Sequence, residues 1–290
     1  MIRFLYHTAV GRGLLKILTL PAFSRMAGAF LDSPLSLPLI PFFIKKAGIC
    51  PSDFYMEDLR CFNDCFSRRI HEGLRPVNAS ENKLIAPCDG LAKAFPIRED
   101  TVLTVKECRY TVSSLLRNAS LAARYEGGVC LVFRLCVEHY HRYCYIEHGK
   151  KSRNVFLPGI LHTVRPAALE SFPVFAENSR EYTLIRTEHF GTILQMEVGA
   201  MLVGRICNYH QEKQVARGEE KGCFQYGGST ILVLLQKGYE KAIAMEFFEA
   251  GRKGREIPVK LGEGLDASES GYCFPASTPR VPNRYFFFLS

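Results

Sequence analysis

From Lys83 onward, the chain alternates short apolar runs with Gly, Pro, Asn and Asp, and this alternation constrains the fold more than any other feature. The runs are "KLIAPCDGLAKAF", "GVCLVFRLCV", "TILQMEVGAMLVGRI", "STILVLLQKG" and "AIAMEFF". Apolar runs of this length, bounded by turn-forming residues, are typical of antiparallel strands. A chain of 290 residues is also long enough to bury a core without metals or disulfides. We therefore predict an α+β protein with a single β-rich antiparallel domain.

The first 50 residues differ in character from the rest of the chain. They carry six Lys or Arg residues against one Asp, a net of +5, although the whole chain is only +8. Residues 3–20 have the spacing of a helix with Val10 and Leu14 on one side and Arg12 and Lys16 opposite, which suits a membrane interface or packing on the chain's own domain. The absence of a dense Lys/Arg run argues against nucleic acid. We predict a helical membrane-contact region over residues 1–50.

The remaining boundaries follow from composition. Residues 56–72 have the pattern of an amphipathic helix, and residues 51–266 are predicted to form the β-rich catalytic domain. Residues 267–290 are rich in Ser and Pro, so we expect a disordered tail.

The 11 cysteines are odd in number and have no paired spacing, which indicates a reducing compartment. No signal peptide and no membrane-spanning helix are expected, since charges and prolines interrupt the apolar segments.

Histidines cluster in "EHYHRYCYIEHG", where His139, His141 and His148 lie near Cys144. If this stretch is a strand, His139 and His141 point to the same face. Such a pair suits a metal ion, with Cys144 or His148 completing the ligand set. It equally suits one histidine that acts as a general base near neutral pH. A purely structural cluster is a third possibility that the residues alone leave open.

Ser229, in "GGST", is a candidate nucleophile. A serine becomes a good nucleophile when a base takes its proton and a carboxylate orients that base. Asp89, in the turn "PCDG", and His141 could supply these roles in a folded β domain. The surroundings differ from those of an ordinary serine hydrolase, because no G-x-S-x-G turn is present and the serine opens an apolar strand. A tight turn leading into a strand is the simpler explanation of these letters.

Six motifs in order resemble those of the phosphatidylserine decarboxylase family. They are "FNDCFSR" (62–68), "PCDG" (87–90), "HYHRY" (139–143), "LPGILHTV" (157–164), "VGAMLVGRI" (198–206) and "GCFQYGGST" (222–230). The resemblance covers the span from about residue 6 to residue 266. The family often carries a further His three positions after the place of His141, and here that position is Cys144.

The resemblance implies a proenzyme that cuts its own chain between Gly228 and Ser229. Ser229 would then become a pyruvoyl cofactor, which forms a Schiff base with the substrate amine and accepts electrons as carbon dioxide leaves. It also implies that His141 is the base of the cleavage and Asp89 its orienting partner. We expect no metal, because a bound metal would occupy the lone pair that His141 needs as a base. The mature protein would be a heterodimer of the two fragments.

On this reading, the enzyme makes phosphatidylethanolamine from phosphatidylserine at the cytoplasmic face of the cell membrane. Two alternatives remain at this stage. One is a pyruvoyl-dependent decarboxylase of a soluble amino acid, which the amphipathic N-terminus argues against. The other is a membrane-binding β module without catalysis, in which Ser229 only turns the chain.

Overall fold

The strands predicted from the apolar runs are present in the computed structural model, which describes residues 8, 10–11, 21–98, 101–105, 108–160, 162, 174–200, 205–225 and 229–266. Most of the predicted helix at residues 3–20, the predicted cleavage residue Gly228 and the tail at residues 267–290 lie outside these ranges. The division of the chain into regions at residues 50 and 266 stays a prediction.

The described strands and helices have the following bounds. The strands are β1 (Phe54–Tyr55), β2 (Arg69–Ile70), β3 (Gly90–Pro96), β4 (Thr101–Val105), β5 (Cys108–Thr111), β6 (Val129–Leu135), β7 (Arg142–Cys144), β8 (Gly149–Lys151), β9 (Val155–Leu157), β10 (Arg180–Arg186), β11 (Thr192–Val198), β12 (Ile206–Asn208), β13 (Lys213–Val215), β14 (Glu220–Phe224), β15 (Ser229–Leu235) and β16 (Ile257–Val259). The α-helices are α1 (Pro21–Leu31), α2 (Leu39–Ala47), α3 (Phe62–Phe66), α4 (Val112–Leu116), α5 (Ala119–Ala122), α6 (Val174–Glu177) and α7 (Met245–Arg252).

Nine of the described strands form one antiparallel sheet. Its order is β13-β8-β10-β11-β15-β6-β3-β16, and β9 pairs with β10 beside this path. A smaller sheet has the order β12-β14-β7, and two ribbons pair β1 with β2 and β4 with β5. The prediction of an α+β fold with a β-rich antiparallel domain is confirmed.

Strand β15 lies at the centre of the large sheet and is buried along its whole length. Because side chains alternate along a strand, its residues enter two different cores. Leu232 and Leu234 pack against the short helices α4 and α6. Ile231 and Val233 pack on the other face, with residues of the small sheet and of α7. Burial on both faces explains why β15 is apolar without interruption from Ile231 to Leu235 rather than alternating.

Two sequence-based expectations about secondary structure were wrong. The run "AIAMEFF" was grouped with the strands, but most of it belongs to helix α7. Its Phe247 and Ala250 are buried three positions apart, which is a helical spacing, and Lys253 reaches back to Glu249 across one turn. The segment was too short for its periodicity to separate the two structures.

The helix predicted over residues 56–72 is limited to the five residues of α3. The Arg68 guanidinium donates to the carbonyl oxygens of Cys65 and Phe66, which a continuing helix would have used for its own hydrogen bonds. Arg69 and Ile70 then pair with β1 as strand β2. Tertiary contacts therefore end this helix early.

The described part of the N-terminal region packs against helix α3. Helix α2 ends at Gly48, whose φ of 65° is left-handed and favours glycine. Phe43 of α2 contacts Phe62 of α3 with ring centroids 5.0 Å apart. Among the described residues, no helix has the length and apolar character needed to cross a membrane.

Candidate active site

The three residues predicted to act together lie around the end of strand β6. Ser229 is the first residue of β15 and pairs with Leu135, the last residue of β6. On the other side of β6, Leu91 of β3 pairs with Arg134, so that Asp89 directly precedes this strand at the same end of the sheet. One strand thus separates the backbones of Asp89 and Ser229, a distance of about 10 Å from the usual strand spacing.

His141 belongs to the same end of the sheet, because it lies in the turn between β6 and β7. Its carbonyl oxygen accepts a hydrogen bond from the backbone of Phe224, five residues before Ser229. His139 and His141 lie in this turn rather than in a strand, so the expected sharing of one strand face does not occur. The link between the two histidines is instead a hydrogen bond from the ring of His141 to the carbonyl of His139.

The hydrogen bonds of His141 define which ring nitrogen is free to act as a base. Nδ1 lies 2.8 Å from the carbonyl oxygen of His139. A carbonyl oxygen can only accept, so Nδ1 carries the proton and Nε2 of the neutral ring carries a lone pair. Nε2 is buried and has no hydrogen-bond partner among the described residues. The site therefore holds an imidazole with a directed and unused lone pair.

Burial also keeps His141 neutral. The side chain is fully buried, and this desolvation lowers the pKa of His141 well below the ordinary histidine value. The nearby cation of Arg68 and the ring of His139 lower this pKa further. The ring of Phe66 lies over the imidazole at 4.0 Å between centroids and excludes water from it. At neutral pH, His141 is therefore an uncharged base.

Ser229 is the second buried group at this end of the sheet with an unused polar atom. Its side chain is 1% exposed, and its Oγ has no hydrogen-bond partner among the residues that the structure describes. Buried polar atoms are nearly always hydrogen-bonded, because an unpaired one costs roughly 1–3 kcal/mol. A buried hydroxyl and an imidazole lone pair, both without a hydrogen-bond partner among the described residues, therefore belong to the same end of β6.

Asp89 is held by groups other than His141. Its two carboxylate oxygens accept hydrogen bonds of 2.8 and 2.6 Å from Nε and Nη2 of Arg75. The backbone N–H of Leu261 donates to the same carboxylate at 2.9 Å. Since the carbonyl of His139 takes the Nδ1 proton of His141, the structure does not pair Asp89 with the imidazole. The orienting role of Asp89 stays a prediction.

Two arginines at this site were not identified from the sequence. Arg75 holds Asp89, and Arg68 donates to the carbonyl oxygen of His139 at 3.4 Å. Arg68 ends the motif "FNDCFSR" and is 2% exposed. Basic residues are usually on the surface, so nothing in the spacing separates these two from the other arginines of the chain.

The histidines do not assemble into the metal site considered above. His148 lies against Glu147, with Nε2 2.9 Å from Oε1, and Cys144 packs near the carbonyl of Ala86. A different group, Cys136, Glu138 and His139, has potential ligand atoms within 4.8 Å of one another. This group does not include His141.

The donors of this second group are already engaged. Nδ1 of His139 accepts a hydrogen bond from the backbone N–H of Cys136 at 2.9 Å, which places the ring proton on Nε2. Coordination through either nitrogen would break that bond. The Arg134 guanidinium also donates to the sulfur of Cys136 at 3.0 Å. The donor set therefore fits a hydrogen-bonded turn better than a metal centre.

Cys144 occupies the position where the family often has a further histidine, and its chemistry differs from that of a base. The side chain is buried, and this burial raises the pKa of the Cys144 thiol to about 12. A thiol with this pKa stays protonated at neutral pH. Cys144 therefore does not replace an imidazole in this site.

A cavity of about 160 Å³ opens beside the Asp89–Arg75 pair. Its lining combines charged and aromatic side chains: Ile70, His71, Glu72, Gly73, Arg75, Tyr140, Arg142, Tyr143, Cys144, Gly218, Glu220 and Leu261. Arg142 is paired with Glu220 at 2.6 Å, as Arg75 is with Asp89. Two cations at this cavity, Arg75 and Arg142, are thus already neutralised by carboxylates.

Comparison with known proteins agrees with the motifs. The phosphatidylserine decarboxylase family profile matches residues 62–265. Phosphatidylserine decarboxylase proenzyme 2 of Clostridium acetobutylicum is 38% identical over 267 residues, covering 91% of this chain and 90% of that protein. The phosphatidylserine decarboxylase proenzyme of Clostridium perfringens is 37% identical over 270 residues, covering 91% and 92%. The chain belongs to the phosphatidylserine decarboxylase family, whose members are carboxy-lyases.

Proposed function

We propose that the chain is the precursor of a pyruvoyl-dependent phosphatidylserine decarboxylase that cleaves itself between Gly228 and Ser229. The observation that carries the proposal is the pair of unused atoms at the end of β6, Ser229 Oγ and His141 Nε2. The similar proteins of Clostridium are named proenzymes, which supports a maturation step in this chain.

The cleavage chemistry assigns a task to each of these atoms. Ser229 Oγ gives its proton to His141 Nε2 and attacks the carbonyl carbon of Gly228. As the bond between the Gly228 carbonyl carbon and the Ser229 nitrogen breaks, that nitrogen takes the proton from His141 Nε2. An ester then joins Gly228 to Ser229 Oγ. Loss of the Cα proton of Ser229 expels the Gly228 carboxylate with the electrons of the Cβ–Oγ bond, which leaves a dehydroalanine. Water hydrolyses its imine tautomer, releasing ammonia and leaving the pyruvoyl group.

The surroundings of Ser229 fit such a group. The residue opens a strand whose neighbours are buried, so that a carbonyl formed here is shielded from bulk water. A pyruvoyl carbonyl supplies an electron sink for the electron pair that is released as carbon dioxide leaves an amino acid. His141, enclosed by the ring of Phe66, would serve at the same end of β6 to hold or return a proton at Nε2.

An anionic phospholipid substrate is supported by the surface of the N-terminal helices. Leu35 and Phe42 are 77% and 52% exposed, although both are apolar. Lys45 and Lys46 occupy the last turn of α2, where the Lys46 ammonium lies 5.2 Å from the centroid of the Phe42 ring. Exposed apolar side chains next to lysines suit contact with a negatively charged bilayer. We propose that the protein is a peripheral protein of the cytoplasmic membrane face and acts as a heterodimer of its two fragments.

Denaturing electrophoresis with intact mass measurement tests the proposal. We expect a chain of residues 1–228 and a chain of 62 residues, 229–290, whose N-terminus is blocked by pyruvoyl. Ser229→Ala is expected to give one uncut and inactive chain. A single full-length band from the unaltered protein would favour the non-catalytic β module. Decarboxylation of free serine but not of phosphatidylserine in vesicles would favour the soluble amino acid enzyme.

A further inference from the structure

Arg68 is a buried cation without a carboxylate partner. Its side chain is 2% exposed and lies over the ring of Phe54, 4.3 Å from the ring centroid, and among the described residues the carboxylate of Asp89 acts on it as a nearby charge rather than as an ion-pair partner. Burying an unpaired charge is costly, and burial lowers the pKa of this guanidinium. A cation kept at such a cost beside the proposed base needs a physical explanation.

The guanidinium connects two backbone segments through carbonyl oxygens. Nη1 donates to the carbonyls of Cys65 and Phe66 at the end of α3, at 3.3 and 3.4 Å. Nη2 donates to the carbonyls of Glu138 and His139 in the turn after β6, at 3.3 and 3.4 Å. Hydrogen bonds from a charged donor are stronger than neutral ones. Arg68 therefore ties the turn that carries the histidines to helix α3.

Arg68 and His141 share one acceptor. The carbonyl oxygen of His139 accepts from Arg68 Nη2 and from His141 Nδ1, the latter at 2.8 Å. A carbonyl oxygen has two lone pairs and can accept both bonds. Because the guanidinium holds this oxygen in place, it also fixes the direction of the Nδ1–H bond and therefore of the Nε2 lone pair. The same helix supplies Phe66, which packs on the imidazole.

We infer that Arg68 is a positioning residue for His141 in self-cleavage: by holding the His139 carbonyl, it keeps the imidazole in the tautomer whose Nε2 accepts the Ser229 proton. The inference rests on the proposed function, because it assumes that His141 is the base. Among the described residues, Arg68 makes no hydrogen bond to Ser229 Oγ, so its effect passes through the turn at residues 138–139.

The charges that face His141 support this role. After burial, the cation of Arg68 from α3 and the ring of His139 from the same turn are the groups that lower the pKa of His141. A lowered pKa keeps the lone pair free at neutral pH. It also makes the imidazolium a stronger acid once it has taken the proton, which favours delivery of that proton to the departing amine of Ser229.

The test compares three variants by following cleavage of freshly translated chain in a cell-free system, across a range of pH. Arg68→Met removes the charge and the donors, and Arg68→Lys keeps the charge but cannot donate to four carbonyls. Arg69→Met is the matched control, since Arg69 is the exposed neighbour in β2. Gel bands give the rate constant of cleavage at each pH.

We expect Arg68→Met to slow cleavage by roughly tenfold to a hundredfold through misplacement of the base. The acid limb of its pH–rate profile should move to higher pH, because removing a cation favours the protonated imidazole of His141. Arg68→Lys should keep the acid limb of the unaltered protein at a reduced rate, and Arg69→Met should match the unaltered protein. A slower Arg68→Met with an unshifted acid limb would indicate a merely structural role and overturn the inference.

Two further outcomes separate the possible failures. If Arg68→Met does not fold, Arg68→Lys decides alone, and cleavage at the unaltered rate would overturn the inference. As a direct readout, NMR of the uncut Ser229→Ala chain with nitrogen-labelled histidine should show that His141 carries its proton on Nδ1. When Arg68→Lys is added, we expect that this tautomer no longer dominates. Failure of the unaltered protein to cleave would contradict the proposed function itself.

Discussion

The guanidinium of Arg75 holds the carboxylate of Asp89 by two parallel hydrogen bonds, of 2.8 and 2.6 Å. The pair is only slightly exposed, at 18% and 11% of the two side chains. Bidentate arginine–carboxylate pairs are both strong and directional. Asp89 is thus fixed beside the proposed site by Arg75, and any help that it gives to His141 acts from this fixed position.

We expect Asp89 and Arg75 to act as a unit. In the uncut Ser229→Ala background, Asp89→Asn and Arg75→Met should each lower the free energy of unfolding by about 1–3 kcal/mol, since each leaves a buried polar group without its partner. The double variant should cost less than the sum of the two, and chemical denaturation measures this coupling. Arg153→Met, at an exposed position, is the control.

A substitution of Asp89 also tests its proposed catalytic role in self-cleavage. With Ser229 intact, Asp89→Ala is expected to slow or stop self-cleavage. Cleavage of that variant at the normal rate would show that the carbonyl of His139, and not Asp89, is sufficient to orient His141.

The pH dependence of cleavage should reflect the lowered pKa of His141. Protonation of Nε2 removes the lone pair, so an ordinary histidine base with a pKa of 6.5 would lose half of its rate at that pH. Since burial lowers the pKa of His141, the rate constant should stay at its plateau as the pH falls through 6.5. An acid limb centred at or above 6.5 would contradict the buried, neutral base.

The same shift affects stability in the uncut Ser229→Ala chain. Below pH 6.5 the histidine of the unfolded chain binds a proton, whereas the folded His141 stays neutral. The free energy of unfolding therefore decreases as the pH is lowered below 6.5. The slope from this group is at most about 1.4 kcal/mol per pH unit. Urea denaturation at a series of pH values measures it, and His141→Gln should remove that contribution.

A second buried charge pair, Glu197 with Lys221, is predicted to be important for folding. Both side chains are fully buried, and Lys221 Nζ donates to Glu197 and, at 2.8 Å, to Asn208. Burial raises the pKa of Glu197 and lowers that of Lys221, so each charge depends on the other. Lys221→Met should cost about 3–5 kcal/mol, because it leaves a buried carboxylate without its partner.

Adding Glu197→Gln to Lys221→Met should recover part of that loss, since the amide carries no charge. Lys213→Met is the matched control, because its ion pair with Glu219 is at the surface and should contribute at most about 1 kcal/mol. Chemical denaturation of the uncut chain compares the three. A loss of less than 1 kcal/mol for Lys221→Met would contradict the prediction.

Membrane binding should depend on the N-terminal helices. Leu35→Ser with Phe42→Ser is expected to weaken binding to vesicles that contain phosphatidylserine, because two exposed apolar side chains are lost. Replacing Lys45 and Lys46 by Gln should reduce the sensitivity of binding to salt. Met245→Ser controls for the loss of an exposed apolar residue, at 67% exposure on α7.

Removing residues 1–20 tests the predicted interfacial helix separately. We expect weaker vesicle sedimentation for the truncated chain than for the full chain. Equal binding by the two would place the contact on α2 and the turn that precedes it.

Activity is expected to be insensitive to chelators and sensitive to carbonyl reagents. Nδ1 of His139 accepts a backbone hydrogen bond, and His141 needs the lone pair of its Nε2 to act as a base. Hydroxylamine should abolish decarboxylation by reacting with the pyruvoyl carbonyl. Zinc at one equivalent in the purified protein, removed together with activity by a chelator, is the result that would contradict this prediction.

Local sequence predicted most of the strands, and the resemblance of the motifs named the candidate triad, whose catalytic roles stay predictions. The apolar run after Gly228 predicts a buried strand, and Ser229 does open β15. Asp89, His141 and Ser229 were chosen because their side chains suit nucleophilic chemistry, and the fold places all three around the end of β6. Such features depend on residue type and on spacing within a few positions, which a sequence displays directly.

Tertiary structure decided what each of these groups contacts. Arg68 and the carbonyl of His139 are 71 residues apart in the chain, and no periodicity connects them. The same holds for Arg75, which meets Asp89 across 14 residues of irregular chain. The early end of α3 likewise depends on strand β1, with which Arg69 and Ile70 pair. Hydrogen bonds and burial between distant segments form only when the chain has folded, so their partners cannot be read from the order of the residues.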